Sequence, residues 1–151
     1  MKKISRISYG GTAAIVTSMA LITGLNAVGT GKAALITALL IAALADNITD
    51  SLSIHIYQES ERLDEREAFI GTLSNFTTRL LGSLSFVLIV VVFPPKAVVL
   101  GSIVWGMLLL GVLSYLLARE RNAGTLSEVT KHLIVAAAVL IISKVIAYFI
   151  I

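Results

Sequence analysis

Apolar residues fill five stretches of this chain, near positions 9–28, 33–57, 68–93, 98–118 and 132–151, and polar residues gather in the short segments between them. Each stretch reaches the roughly 20 residues that a helix needs to cross the hydrocarbon core of a bilayer. None alternates strictly between apolar and polar positions as a half-buried strand would. In lipid, a helix satisfies every backbone N–H and C=O within its own segment. The pattern therefore predicts an all-α integral membrane protein of five transmembrane helices. Pro94 and Pro95 end the third stretch, since proline lacks the N–H that would continue a helix. The first stretch follows Lys2, Lys3 and Arg6, as a signal peptide would, but it is long for one and has no small-x-small cleavage site. It is expected to remain as a span.

Composition removes alternatives. The 151 residues are 57% hydrophobic and 14% charged, with a mean hydropathy of +0.94, too apolar for a soluble domain. Residues 1–151 make one transmembrane domain with no hydrophilic linker long enough to divide it. Cysteine is absent, which excludes disulfides, thiolate metal sites and a cysteine nucleophile. The net charge of +3 comes from residues at the span ends rather than from a basic face, so the expected partner is the lipid bilayer and not nucleic acid. Lysine and arginine in the loops set the orientation. An N-terminus in the cytoplasm leaves mainly Lys32 and Lys96 outside, and five spans then put the C-terminus outside. An odd number of helices does not divide into two inverted repeats within one chain, and a homodimer is the natural way to complete a pathway.

Four charged residues fall where lipid should exclude them: Asp46 and Asp50 in the second stretch, Arg79 in the third and Lys144 in the fifth. Each costs roughly 2.5–3.5 kcal/mol at a helix centre, which makes such residues candidates for a site. The spacing of four puts Asp46 and Asp50 on one helical face, continued by Ala42, Ala38 and Ala34. Small residues let helices approach closely, so this face is expected to be buried against a neighbour. Three readings stay open. The carboxylates form a hard oxygen site for a divalent cation, completed by Asn47, Thr49 or Ser53 and by Thr17, Ser18 or Met19 of the first span. They pair with Arg79 in a structural ion pair. Or they relay protons without a metal. Lys144 lies close enough to the outer interface to snorkel, and His55 and His132 read as boundary residues.

Glu59, Glu61, Asp64, Glu65 and Glu67 crowd the connection after the second stretch, mixed with Arg62 and Arg66. Such a run is a solvated helix end, or an acidic vestibule, centred on Glu59 and Glu61, that gathers cations. In the first stretch Gly10, Ala14 and Ser18 form a second small-residue stripe suited to close helix contact. No GxSxG, HExxH or phosphate-binding loop occurs, so an enzyme is not expected and no cofactor is implied.

Several segments resemble the vacuolar iron transporter family of five-helix membrane proteins that export ferrous iron or manganese from the cytoplasm. YGGTAAIVTSMALITGL resembles the family's FGGLDGLVTTFALVAGL, and ADNITDSLSIHIY its ADxxSMxxGEY. SNFTTRLLGSLSFVLIVVVFP is similar to SFLSFLLGxLIPLLPF, and TKHLIVAAAVLIISKVIAYFI to the Ala-rich last helix. The departures are specific. The family's first-span aspartate falls on Ala13, its methionine on Asp50 and the glutamate of its GEY on Ile54, while its second-span acid is kept as Asp46. Arg79 stands at a usually apolar position, and only about ten residues replace the long cytoplasmic metal-binding domain of many members. The resemblance implies a homodimer whose first two helices line a pathway. Through it Fe2+ or Mn2+ would leave the cytoplasm, with proton antiport as the coupling. Asp46 would be the primary ligand, with Asp50 as second ligand or proton carrier. Asn47, Met19 and Thr17 would complete the shell, and Arg79 would balance charge. The alternatives are a non-transporting relative that serves as a membrane scaffold, and a proton or anion pathway. The expected location is a prokaryotic plasma membrane.

Overall fold

The computed structural model describes residues 3–60 and 64–150, with side chains from Gly10 onward. Among the described residues there are five α-helices and no strand: α1 (Lys3–Ala27), α2 (Lys32–Ser60), α3 (Glu65–Val92), α4 (Pro95–Glu120) and α5 (Thr125–Ile150). All five are long and apolar enough to cross a membrane. Every helix extends beyond its apolar stretch at one end or both. The largest extension is in α5, which begins at Thr125, two turns before the expected start at His132. Charged residues mark where the hydrocarbon ends, but they do not stop a helix, whose backbone bonds persist through the headgroup region.

The connections follow local chemistry. After α1 the backbone turns left-handed at Gly29 (φ 76°). The Gly29 N–H donates to the Asn26 carbonyl and the Thr30 N–H to the Leu25 carbonyl, each at 3.1 Å. This pair of reversed bonds is the Schellman termination, and glycine fits it because a Cβ resists positive φ. The same closure ends α4 at Asn122 (φ 53°), where Asn122 donates to Arg119 and Ala123 to Ala118. Gly24 lies within α1 against Ser143 of α5. Between α3 and α4, Pro94 is extended and Pro95 opens the next helix, where a missing N–H costs nothing.

α1 is the hub, touching all four other helices. Its expected small-residue stripe is buried: Gly10, Ala14 and Ser18 all face protein. A Cβ on Gly10 would stand 2.7 Å from the Asn75 carbonyl oxygen of α3, so only glycine allows that approach. Across α1, Met19 fills the space that Gly106 of α4 leaves open. Ile15, Met19 and Ile22 join Phe86, Val90, Leu110 and Leu140 in the apolar core. α2 packs mainly on α3, whereas α3 and α4 meet little despite their short link. An apolar groove of about 560 Å³ separates those two, crossed by the Trp105 indole N–H donating to the Ser85 hydroxyl at 3.1 Å.

Candidate functional site

The contact between α2 and α3 changes character along its length. The buried stripe of α2 is Leu35, Leu39, Ala43, Asn47, Ser51 and Gln58, and that of α3 is Ala68, Gly71, Asn75, Arg79, Ser83, Phe86 and Val90. Spacings of three and four keep each set on one face, so the two ridges meet along both helices. The half nearer the α1–α2 turn is apolar. The other half, toward the α2–α3 connection, is polar.

Asp46 and Asp50 lie beside this stripe rather than on it. Their side chains are 48% and 30% exposed, and Ala34 is exposed as well. The expectation that the face bearing both carboxylates packs against a neighbour is therefore corrected within one chain: the buried face is rotated by one residue, about 100°, to Asn47 and Ser51. Arg79 bridges the gap because its side chain is long. It leaves the buried face of α3, only 7% exposed, and its guanidinium reaches the flank of α2. There Nη1 donates to Asp50 Oδ2, and Nη2 stands 3.8 Å from Asp46 Oδ2. At an effective dielectric near 20, a pair at that distance attracts by about 4 kcal/mol before desolvation is counted. Two carboxylates and one guanidinium leave the triad with a formal charge of −1.

The other expected ligands go elsewhere. Asn47 is fully buried and its amide donates to the Phe76 carbonyl at 2.9 Å, tying α2 to α3. Met19 is buried against α4, and Thr17 lines an apolar groove between α1 and α5. The hydroxyls of Thr49 and Ser53 return to carbonyls of their own helix, at Ala45 and Thr49. A single chain thus brings together Asp46, Asp50 and Arg79 but not Thr17 or Met19. Among the described residues no group of three or more His, Cys, Asp and Glu side chains is arranged to hold a metal.

Of the expected acidic vestibule, Glu59 is exposed and lies 3.4 Å from His55 Nε2, one turn back on the same helix. Glu61 falls outside the described residues. His132 is more than a boundary residue: its Nδ1 lies 2.7 Å from the Ser114 hydroxyl and joins α5 to α4. Lys144 is exposed on α5.

Sequence reasoning passed over Ser51, Gln58 and Asn75, which are 8%, 4% and 1% exposed. The signal was available: Asn47, Ser51 and Gln58 follow Leu35, Leu39 and Ala43 at helical spacing, and Asn75 precedes Arg79 by four. Gln58 accepts from the Thr72 hydroxyl at 3.3 Å, with its amide against Gly71. Comparison with known proteins finds no matching family model and no matching curated protein.

Proposed function

We propose that this chain is a membrane carrier of divalent cations, ferrous iron or manganese first, in which Arg79 holds the place of the ion while the site is empty. The observation that supports this reading is one guanidinium facing two carboxylates within a membrane-crossing helix, one of them half-exposed. Lipid does not tolerate a half-exposed carboxylate without a partner, and a cation or a proton is the chemical complement of Asp46. An incoming metal would exchange with the guanidinium at Asp46 and Asp50, and protonation of the carboxylates would release it. Because Asp46 stays half-exposed on the flank of α2 beside Arg79, a second copy of the chain is the proposed source of further oxygen ligands and of cover from lipid. The lysine and arginine distribution supports a cytoplasmic N-terminus, and export as the direction is what the family resemblance implies.

Proteoliposomes loaded with a metal-sensitive dye test this reading. Wild type should conduct Fe2+ or Mn2+, Asp46→Ala and Asp50→Ala should abolish the flux, and Arg79→Ala should bind the metal more tightly while still conducting. Unchanged flux in both aspartate variants would sink the proposal.

The second reading is a non-transporting membrane scaffold. The burial of Arg79 and its direct bond to Asp50 favour it, since such a pair can simply fix α2 on α3. Under that reading no variant conducts, and Arg79→Ala lowers stability alone.

A further inference from the structure

Four side-chain atoms near the ion pair are buried without a hydrogen-bond partner: Asn47 Oδ1, Ser51 Oγ, and both Oδ1 and Nδ2 of Asn75. Their residues are between 0% and 8% exposed. Two cross-helix bonds bracket them. Thr72 meets Gln58 nearer the α2–α3 connection, and Asn47 meets the Phe76 carbonyl nearer the other end. Ser51 and Asn75 lie between those bonds on the buried stripes of α2 and α3, where Asn75 Oδ1 also borders Gly10 of α1, one residue and four residues from the Asp50–Arg79 contact. Leaving one such buried group unsatisfied costs about 1–3 kcal/mol, so four together demand an occupant.

The donor set identifies that occupant. A metal ion would suit the three oxygens but repel the Asn75 amide N–H, which needs an acceptor. Water donates and accepts, and a buried water typically makes about three bonds to otherwise unsatisfied groups. We infer that Asn47, Ser51 and Asn75 form a bound-water site, which hydrates the Arg79–Asp50 pair and connects it to the α2–α3 end of the bundle.

The connection is one-sided. Toward the α2–α3 end polar side chains recur at Thr72 and Gln58, past the half-buried Ile54. In the other direction, beyond the buried Ser83, the facing residues Ala43, Leu39 and Leu35 on α2 and Phe86 and Val90 on α3 are buried and apolar. Dry packing closes that half, and water or a hydrated proton reaches Asp50 from one face of the membrane only. The inference goes beyond the transport reading and stands if no ion is carried, because its test measures no flux.

The chain has no cysteine, so single-cysteine variants report without background. Ser51→Cys, Asn75→Cys and Ala43→Cys are reconstituted as full chains in vesicles. Ag+ in nitrate buffer is added to one face at a time, and thiol loss is followed by mass spectrometry. Ser60→Cys marks the α2–α3 face and Gly29→Cys the opposite one. Ser51→Cys and Asn75→Cys should react at least tenfold faster from the Ser60→Cys face, and Ala43→Cys should be slow from both. The inference is overturned if the two polar positions react no faster than Ala43→Cys, or react equally from both faces. If one polar variant loses its helical circular dichroism, the other decides.

Discussion

Removing the guanidinium of Arg79 tests the centre of the molecule most directly. Arg79→Ala leaves Asp46 and Asp50 within a membrane span with no cation between them, while Asp50→Ala leaves a guanidinium that is 7% exposed without its acceptor. Breaking a fully buried pair from one side costs about 3–5 kcal/mol, and an exposed pair is worth about 0–1 kcal/mol. Here the arginine is buried but the carboxylates are 30% and 48% exposed, so the pair sits between those limits. Each single variant should lose about 2–3 kcal/mol. The double variant Arg79→Ala, Asp50→Ala should lose little more than either alone, which corresponds to a coupling of about 2 kcal/mol. Unfolding by a denaturing detergent, titrated into mixed micelles and followed by circular dichroism, measures all four corners of the cycle. The residual charge makes the companion cycle with Asp46 informative: at 3.8 Å and half-exposed, Asp46 should couple to Arg79 by less than half as much. A coupling under about 0.5 kcal/mol for Asp50, or a larger one for Asp46 than for Asp50, would refute the geometry from which these figures are reasoned.

Three further outcomes follow from the packing. Gly106→Leu puts a side chain where Met19 lies and should cost about 1–3 kcal/mol in the same unfolding assay, with partial recovery when combined with Met19→Ala. Ser114→Ala removes the partner of His132 Nδ1 and should cost about 0.6 kcal/mol, the average for a hydrogen bond between membrane helices; a loss above 2 kcal/mol would contradict that assignment. Gly29→Ala forces a Cβ into positive φ at the end of α1 and should cost about 1–2 kcal/mol, whereas Gly31→Ala, placed in open space, should be neutral.

How much of this was legible in the sequence differed by the kind of force involved. Lipid imposes a length and an apolarity on every span, so the number and order of helices followed from the hydropathy pattern. Rotation about a helix axis is set by finer terms. The alanines at 34, 38 and 42 permit close packing without requiring it, and α2 instead turns Leu35 and Leu39 to the core, which moves Asp46 to the flank. That one-residue rotation is beyond periodicity alone when a helix is apolar on every side. Met19 misled for a related reason: a thioether reads equally as a soft ligand and as a flexible filler, and only Gly106 on a helix far along the chain decides between them. Arg79 was identified as the counter-charge because few partners exist for a buried guanidinium. Asn75 was missed because an asparagine carries no charge to draw notice, although its position one turn before Arg79 marks the same face.

The burial of α1 also bears on how the protein is made. Its span has the lowest hydropathy of the five, 1.2 against 2.6 for α5, and the highest buried share, 44% against 17%. The helix least suited to lipid is therefore synthesised ahead of the four that enclose it, since all four of those neighbours follow it in the chain. Until α3, α4 and α5 arrive, Gly10, Ser18 and Thr23 face acyl chains or the insertion machinery instead of protein. Truncation after α2 should accordingly leave α1 poorly held in the bilayer, and the later helices act as its solvent as much as its scaffold.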